Sequence, residues 1–457
     1  MAFKLNVEIV SLLIFFALNF SGTITGDYVI YTTCYVTLGY NQTICALLGT
    51  NNTNNETAKL EAEVQPFATR ITTTSAVIDA TFAPLLCFFL GSWSDKFGRK
   101  PVMLLGIAGS AGSYLIKCII SSIPGVSPWF MLISSLPSSI TGGISATITV
   151  MLCYIADTTT NQERGIKLFI FEGTVGLGMV VSALTCTLAL DALGYPAVFF
   201  ISFVCAVLSW IFVFICIPES VENPENENKF RRLFNIELLI STIKTVFKPR
   251  DHYERGILLT TFALLALTVF SYFGVTSVLF LYLRNKFSWS LGQCTFYTSV
   301  MSVVSIVGGT IGIALFYKVL QFKEASIILL SLFTCLIATM FQGSAKTTFE
   351  FYISGSFNLL SSTVSPMGRN IISKIIEVEN VGKVFSILIT IEAMFALGGN
   401  LFYTFIYNNT LTTLPSAFYF LTSGFYGVNI ILLGVILLFQ RYTNQLIYVD
   451  VSEESIN

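Results

Sequence analysis

Gly91-Ser92-Trp93-Ser94-Asp95-Lys96-Phe97-Gly98-Arg99-Lys100, followed by Pro101, is the stretch on which the reading of this chain turns. It is a short charged segment between two long apolar runs. Gly91 allows close helix approach at the end of the first run. Gly98 permits a tight turn that other residues resist. Asp95 is a fixed anion suited to a helix N-terminus, where the dipole favours negative charge. Arg99 can pair with an acid, and the candidate is Asp157 in Tyr154-Ile155-Ala156-Asp157. The alternative for Asp157 is a helix-end acid solvated in the headgroup region. Lys96, Arg99 and Lys100 are also the residue types that mark a cytoplasmic loop.

Outward from this segment the chain is apolar. Of 457 residues 54% are hydrophobic and 11% charged, against about 25% charged in soluble proteins. The mean hydropathy of +0.75 points the same way. A chain of this composition has lipid as its main solvent. The net charge of −1 offers no large basic face, so nucleic acid is not an expected partner. The 10 cysteines lie mostly in apolar segments as small hydrophobes. There is no C-x-x-C pair and a single histidine, so neither a metal site nor a cofactor is expected.

Apolar runs of about 20 residues, enough to span a bilayer, fall at 8–31, 71–93, 102–122, 128–153, 167–190, 196–217, 256–283, 293–317, 324–342, 349–368, 382–405 and 414–440. They predict an all-α membrane protein of twelve transmembrane helices. The first run, after Lys4, reads as a retained span with no cleavage pattern. A polar loop over 218–253 separates two six-helix halves, 1–217 and 254–440, and 441–457 forms a tail. Two halves of this kind are the layout of many secondary transporters. With both termini in the cytoplasm, that side holds all 25 basic residues except Lys59, Arg70, Lys117, Arg284, Lys286 and Lys346. Sequons at Asn41, Asn51, Asn55 and Asn408 then fall outside, where sugars are added. Chance matches in Asn/Thr-rich loops are the alternative. A further match at Asn19 lies inside the first span, where no sugar is expected.

The Gly91–Lys100 loop resembles the G-x-x-x-D-x-x-G-R-K signature of the major facilitator superfamily. The resemblance implies that fold, with two pseudo-symmetric halves rocking about a central site. It also implies that Asp95 sits against span eleven and that an Arg99–Asp157 pair locks the cytoplasmic side. Further segments resemble solute carrier family 46, the proton-coupled folate transporter group. These are Leu38-Gly39-Tyr40-Asn41-Gln42-Thr43 with Cys45, Ile155-Ala156-Asp157-Thr158-Thr159, Phe171-Glu172-Gly173, Leu193-Gly194-Tyr195 and Pro366-Met367-Gly368-Arg369 leading to Ser373-Lys374. The family uses a glutamate like Glu172 for proton coupling and an arginine like Arg369 for substrate binding or coupling. Cys45 and Cys294 resemble a family disulfide between the first loops of the two halves; sequence leaves Cys34 open as the partner. The folate-transporting member has a membrane histidine in span seven. Here that stretch reads Ser271-Tyr272-Phe273-Gly274, and the one histidine, His252, stands in the polar loop. The resemblance therefore does not carry folate as substrate.

Ionisable residues inside spans are costly, and each is a functional candidate. A buried carboxyl can take and release protons near neutral pH, which singles out Glu172 and Glu392 for proton coupling; a structural acid facing a neighbouring helix is the alternative for Glu172, and a pair across the halves for Glu392. A guanidinium offers a planar donor fork to a carboxylate, which suits Arg369 to an anionic substrate; positive-inside flanking is its alternative. Tyr272, Asp27 and Asp79 complete the expected substrate-binding set. Lys374 reads as flanking, Glu8 as a solvated edge residue, and Lys117 as snorkelling outward. The expected function is proton-coupled symport of a small organic anion. A uniporter or exchanger of the same fold, or a lysosomal exporter of hydrophobic conjugates or peptidoglycan fragments, is the alternative. No enzymatic activity is expected. The membrane is the plasma membrane, or the lysosomal membrane given Tyr448-Val449-Asp450-Val451 in the tail. The oligomeric state is left open.

Overall fold

The computed structural model describes residues 7–46, 48, 55–160, 163–221, 236–250, 253–287, 289, 291–377, 380–411 and 413–454. Asn51, His252 and the basic residues Lys4, Lys229, Arg231 and Arg232 lie outside them. Among the described residues every regular element is helical. That follows from the solvent: a lipid-embedded segment must satisfy its own backbone N–H and C=O groups, and a helix does so.

Ten stretches among the described residues are long and apolar enough to cross a membrane. The expected twelve are recovered because one of these stretches is double and one expected span is broken. The double one is α7 (Arg164–Cys216), two helices meeting at Gly194, whose φ of 77° only glycine adopts readily. Pro196, lacking an N–H, follows at once. The broken span is the tenth: α12 (Thr348–Ser356), a tight turn over Phe357–Thr363, then α13 (Val364–Ile375). The fourth is interrupted as well. A tight turn over Pro128–Ser134 leads into α5 (Ser135–Ile140), and a break at Gly142 and Gly143 precedes α6 (Gly143–Thr158). The remaining long helices are α1 (Val7–Thr32), α3 (Asn55–Phe97), α4 (Arg99–Ser122), α9 (Glu254–Phe287), α10 (Leu291–Gly312), α11 (Glu324–Ser344), α14 (Val381–Thr410) and α15 (Ala417–Glu454). Two short helices, α2 (Gln42–Cys45) and α8 (Ile236–Phe247), lie between them.

The chain forms two compact units. The first comprises Met1–Met151 and Thr174–Glu227, the second Leu152–Gly173 and Asn228–Asn457. The end of α6 and the start of α7 thus belong to the second unit. In the first unit Phe20, Ile24, Tyr28, Ile71, Ile120, Val198 and Phe199 pack together. There α4 approaches α5 so closely that a Cβ at Gly109 would collide with the Thr141 side chain and the Pro137 carbonyl. In the second unit an aromatic cluster of Tyr282, Trp289, Tyr297, Phe351, Tyr403, Phe418 and Tyr419 forms the core.

The disulfide departs from the family expectation. Cys45 is bonded to Cys34, with Cα atoms 5.7 Å apart, and Cys294 keeps a free thiol buried in the aromatic core of the second unit. The reason is local. The chain turns back after Thr33–Thr37, with the Tyr40 N–H donating to the Cys34 carbonyl. Asn41 then caps α2, which delivers Cys45 to Cys34.

Candidate functional site

The second unit gathers three of the predicted residues. Glu172 lies on the first part of α7, Arg369 on α13 just beyond the break in span ten, and Glu392 in the apolar middle of α14. The Arg369 guanidinium bridges the two acids. Its Nη1 donates to Glu172 Oε1, and its Nη2 donates to Glu392 Oε2 at 2.9 Å. Ser365, one turn before Arg369, donates its hydroxyl to the same Glu172 oxygen at 3.2 Å. Arg369 is buried, 7% exposed. Its Nε and Glu392 Oε1 are buried without a hydrogen-bond partner. The side chains of the two acids differ: that of Glu172 is 25% exposed and that of Glu392 8%.

A second network in this unit holds the ends of the helices. Glu324, at the start of α11, accepts from Asn370 Nδ2 at 2.9 Å, from the Tyr317 hydroxyl at 3.3 Å and from Lys374. Lys374, expected as a flanking charge, is therefore paired. Arg164 donates to the Ser373 carbonyl and the Ala156 carbonyl, each at 3.0 Å. Asp157 lies near enough to attract the same guanidinium. Tyr272 on α9 is not brought to Arg369; it is an exposed ring packed edge-on against Phe273.

In the first unit Asp27 and Asp79 stand in separate settings. Asp27 Oδ2 accepts from the Tyr195 hydroxyl at 2.7 Å. Tyr195 is itself held by stacking on Tyr31 and by an edge contact with Tyr28. Asp79 Oδ1 accepts from the Ser139 hydroxyl at 2.9 Å, and Ser135 bonds the same carboxylate. Glu8, expected at a solvated edge, is 2% exposed. Lys117 also departs from expectation. It turns inward, donating to Ser21 Oγ at 3.3 Å and Thr25 Oγ1 at 3.1 Å on α1.

Within the Gly91–Lys100 loop, Arg99 is buried and pairs with Asp95 at 2.6 Å, one helical turn back. It also donates to Ser94 Oγ at 2.8 Å. The anion seated on the N-terminus of α4 is Glu219, which accepts from the Arg99 N–H at 2.7 Å and the Lys100 N–H at 3.1 Å. Gly98, with φ of 111°, makes room for it; a Cβ there would collide with the Glu219 carboxylate. Lys100 Nζ donates to the Phe214 carbonyl at 2.8 Å. Gly91 continues α3, in which Asp95 lies near the end. Of the sequons, Asn41 is exposed and caps α2, Asn55 begins α3, and Asn408 is exposed on α14. Among the described residues no group of three or more His, Cys, Asp and Glu side chains is placed to hold a metal ion.

The family model of the Major Facilitator Superfamily matches residues 68–357. The chain is also similar to the "Probable peptidoglycan muropeptide transporter SLC46" of Drosophila melanogaster, at 30% identity over 96% of this chain and 86% of that protein. The chain belongs to the major facilitator superfamily, in solute carrier family 46. The proton-coupled folate transporter of Rattus norvegicus matches at 23% identity over 95% of this chain and 92% of that one. The structure of the human organic anion transporter MFSD10 (TETRAN) superposes with a TM-score of 0.65 at 17% identity. That superposition covers 93% of this chain and 99% of MFSD10 and shows a shared fold. This family 46 member is thus a multi-pass membrane transporter with the twelve-helix major facilitator fold.

Sequence reasoning missed the role of Glu219 and read the direction of Lys117 wrongly. Glu219 acts on a helix end 120 positions earlier in the chain, and no local pattern announces that. Lys117 did have a signal. It follows Ser110, Ser113 and Tyr114 at helical spacing, the polar and buried stripe of α4.

Proposed function

We propose that this carrier is a proton-coupled symporter of a small carboxylate-bearing solute. The observation that carries the reading is the single Arg369 guanidinium shared by Glu172 and Glu392. With both acids ionised, the three groups sum to one negative charge and Arg369 has its two terminal nitrogens occupied. A proton arriving at Glu172, the more exposed acid, neutralises the cluster and frees Arg369 Nη1. The freed donors then suit a substrate carboxylate, because a guanidinium fork matches that shape. Glu392 keeps hold of Nη2 and maintains the orientation. An anion thus binds only when a proton has bound, and the two cross together by alternating access.

The names of the relatives support a solute of this chemistry. One is described as a muropeptide transporter and another as a proton-coupled folate transporter, and both solute classes bear carboxylates. A muropeptide is the first substrate to try, given the 30% identity to that relative. The plasma membrane is the working location and the lysosomal membrane its alternative, separable by imaging in the same cells. The deciding experiment is uptake across an imposed pH gradient. The Glu172→Gln variant should lose proton-driven accumulation and retain at most a pH-independent leak. Full proton-driven transport by that variant would sink the proton role.

A further inference from the structure

Lys117 lies in the third span and carries an ammonium that the protein does not neutralise by contact. Its side chain turns into the first unit, where its partners are the hydroxyls of Ser21 and Thr25. These two stand one turn apart on α1 and present a single hydroxyl-lined face. An ammonium has three donors, and the hydroxyls take two of them. The nearby acid is Asp79, whose field acts on Lys117. Yet Asp79 makes no ion pair with it among the described residues; its carboxylate is occupied by Ser139 and Ser135 on α5. Ser135 is in turn bonded to Ser75 at 2.7 Å, which fixes the serine array against α3.

This arrangement is costly if it is only structural. A lysine in a span ordinarily extends its stem to the interface, and a buried charge is ordinarily paired. Here the half-buried stem is turned onto α1, and the available acid is tied back by two serines. The geometry points to Lys117 as an anion-binding residue of the first unit, taking a carboxylate of the transported solute, with Ser21 and Thr25 as its hydroxyl neighbours. Asp79 holds the field of the site without occupying the ammonium. The inference rests on the reading of the protein as a carrier of carboxylate-bearing solutes, and adds a residue to which no role has been assigned.

The test uses the full chain in proteoliposomes with two probes: the diacid N-acetylmuramyl-L-alanyl-D-glutamate, which has one carboxylate for Arg369 and one for Lys117, and muramyl dipeptide, its mono-carboxamide, which keeps only one. Wild type should move the diacid faster than the mono-carboxamide. Lys117→Met should lower diacid flux about tenfold or more and leave mono-carboxamide flux unchanged, erasing the preference. Lys117→Arg should keep the preference, and Lys117→Gln replaces the methionine variant should that one fail to fold. A methionine variant that retains the wild-type preference overturns the proposal. Should wild type move neither probe, the transport reading fails for this solute class, and the site is read by ligand-induced shifts of thermal unfolding instead. A larger shift from the diacid, lost in Lys117→Met, sustains the site; equal shifts from both probes, or none, overturn it.

Discussion

Arg369 in the second unit touches two acids, while Lys117 and Asp79 in the first unit do not touch at all. Both clusters are attached to a broken span. Asp79 is held by serines of α5, in the interrupted fourth span. Glu172 is held by Ser365 and Arg369 of α13, in the interrupted tenth. Discontinuous helices at matching positions of two halves are where carriers of this kind place their binding groups. The breaks are alike and the chemistry is not. One unit surrounds its charges with hydroxyls, and the other closes them on each other. A contact pair of opposite charges satisfies itself. A charge among neutral hydroxyls keeps part of its field for an incoming group.

The largest effect should follow from removing the shared cation. Arg369→Ala leaves two carboxylates facing each other in an apolar setting, and breaking such a pair costs about 3–5 kcal/mol. We expect a marked fall in thermal unfolding temperature together with loss of uptake. Arg369→Lys should recover the fold better than the flux, because a single ammonium cannot present a fork to two acids. Were Arg369→Ala to unfold and transport like wild type, the contrast between a closed and an open cluster would collapse.

How much of this was legible in the sequence depends on distance along the chain. The twelve spans follow from hydropathy alone, because lipid enforces helices wherever an apolar run is long enough. Glu172 and Glu392 stood out for the same reason: a charge inside such a run is expensive and therefore conspicuous; Arg369, just past the tenth run, stood out by the family resemblance. Their convergence did not, since Glu172 and Arg369 are separated by 197 positions. Lys117 was misread because a long cationic stem can satisfy itself in either direction, and only its alignment with Ser113 and Tyr114 on α4 argues for inward. The Cys34–Cys45 bond was left open because two exterior-side cysteines competed for one partner, and a family pattern favoured the wrong one. Glu219 could not be read at all, since a cap supplied from a segment distant in the chain has no signature in the helix it caps.

The serines give the finest division between the two clusters. Ser139 and Ser365 are chemically equivalent donors to a carboxylate, at 2.9 Å to Asp79 and 3.2 Å to Glu172. Their deletion should not be equivalent. A hydrogen bond to a charged group is worth about 1.5–3 kcal/mol. Asp79 depends on hydroxyls for its solvation, so Ser139→Ala should cost about 1–2 kcal/mol in thermal unfolding. It also releases Asp79 toward Lys117, so flux of an anionic probe should fall as the ammonium becomes engaged. Glu172 has the Arg369 guanidinium on the same oxygen, so Ser365→Ala should change stability by about 0.5 kcal/mol or less, within the usual range for a redundant contact. Equal losses from the two alanine variants would mean that Arg369 does not carry the solvation of Glu172. The acid would then rely on its serine as Asp79 does, and the two units would differ in arrangement and not in kind.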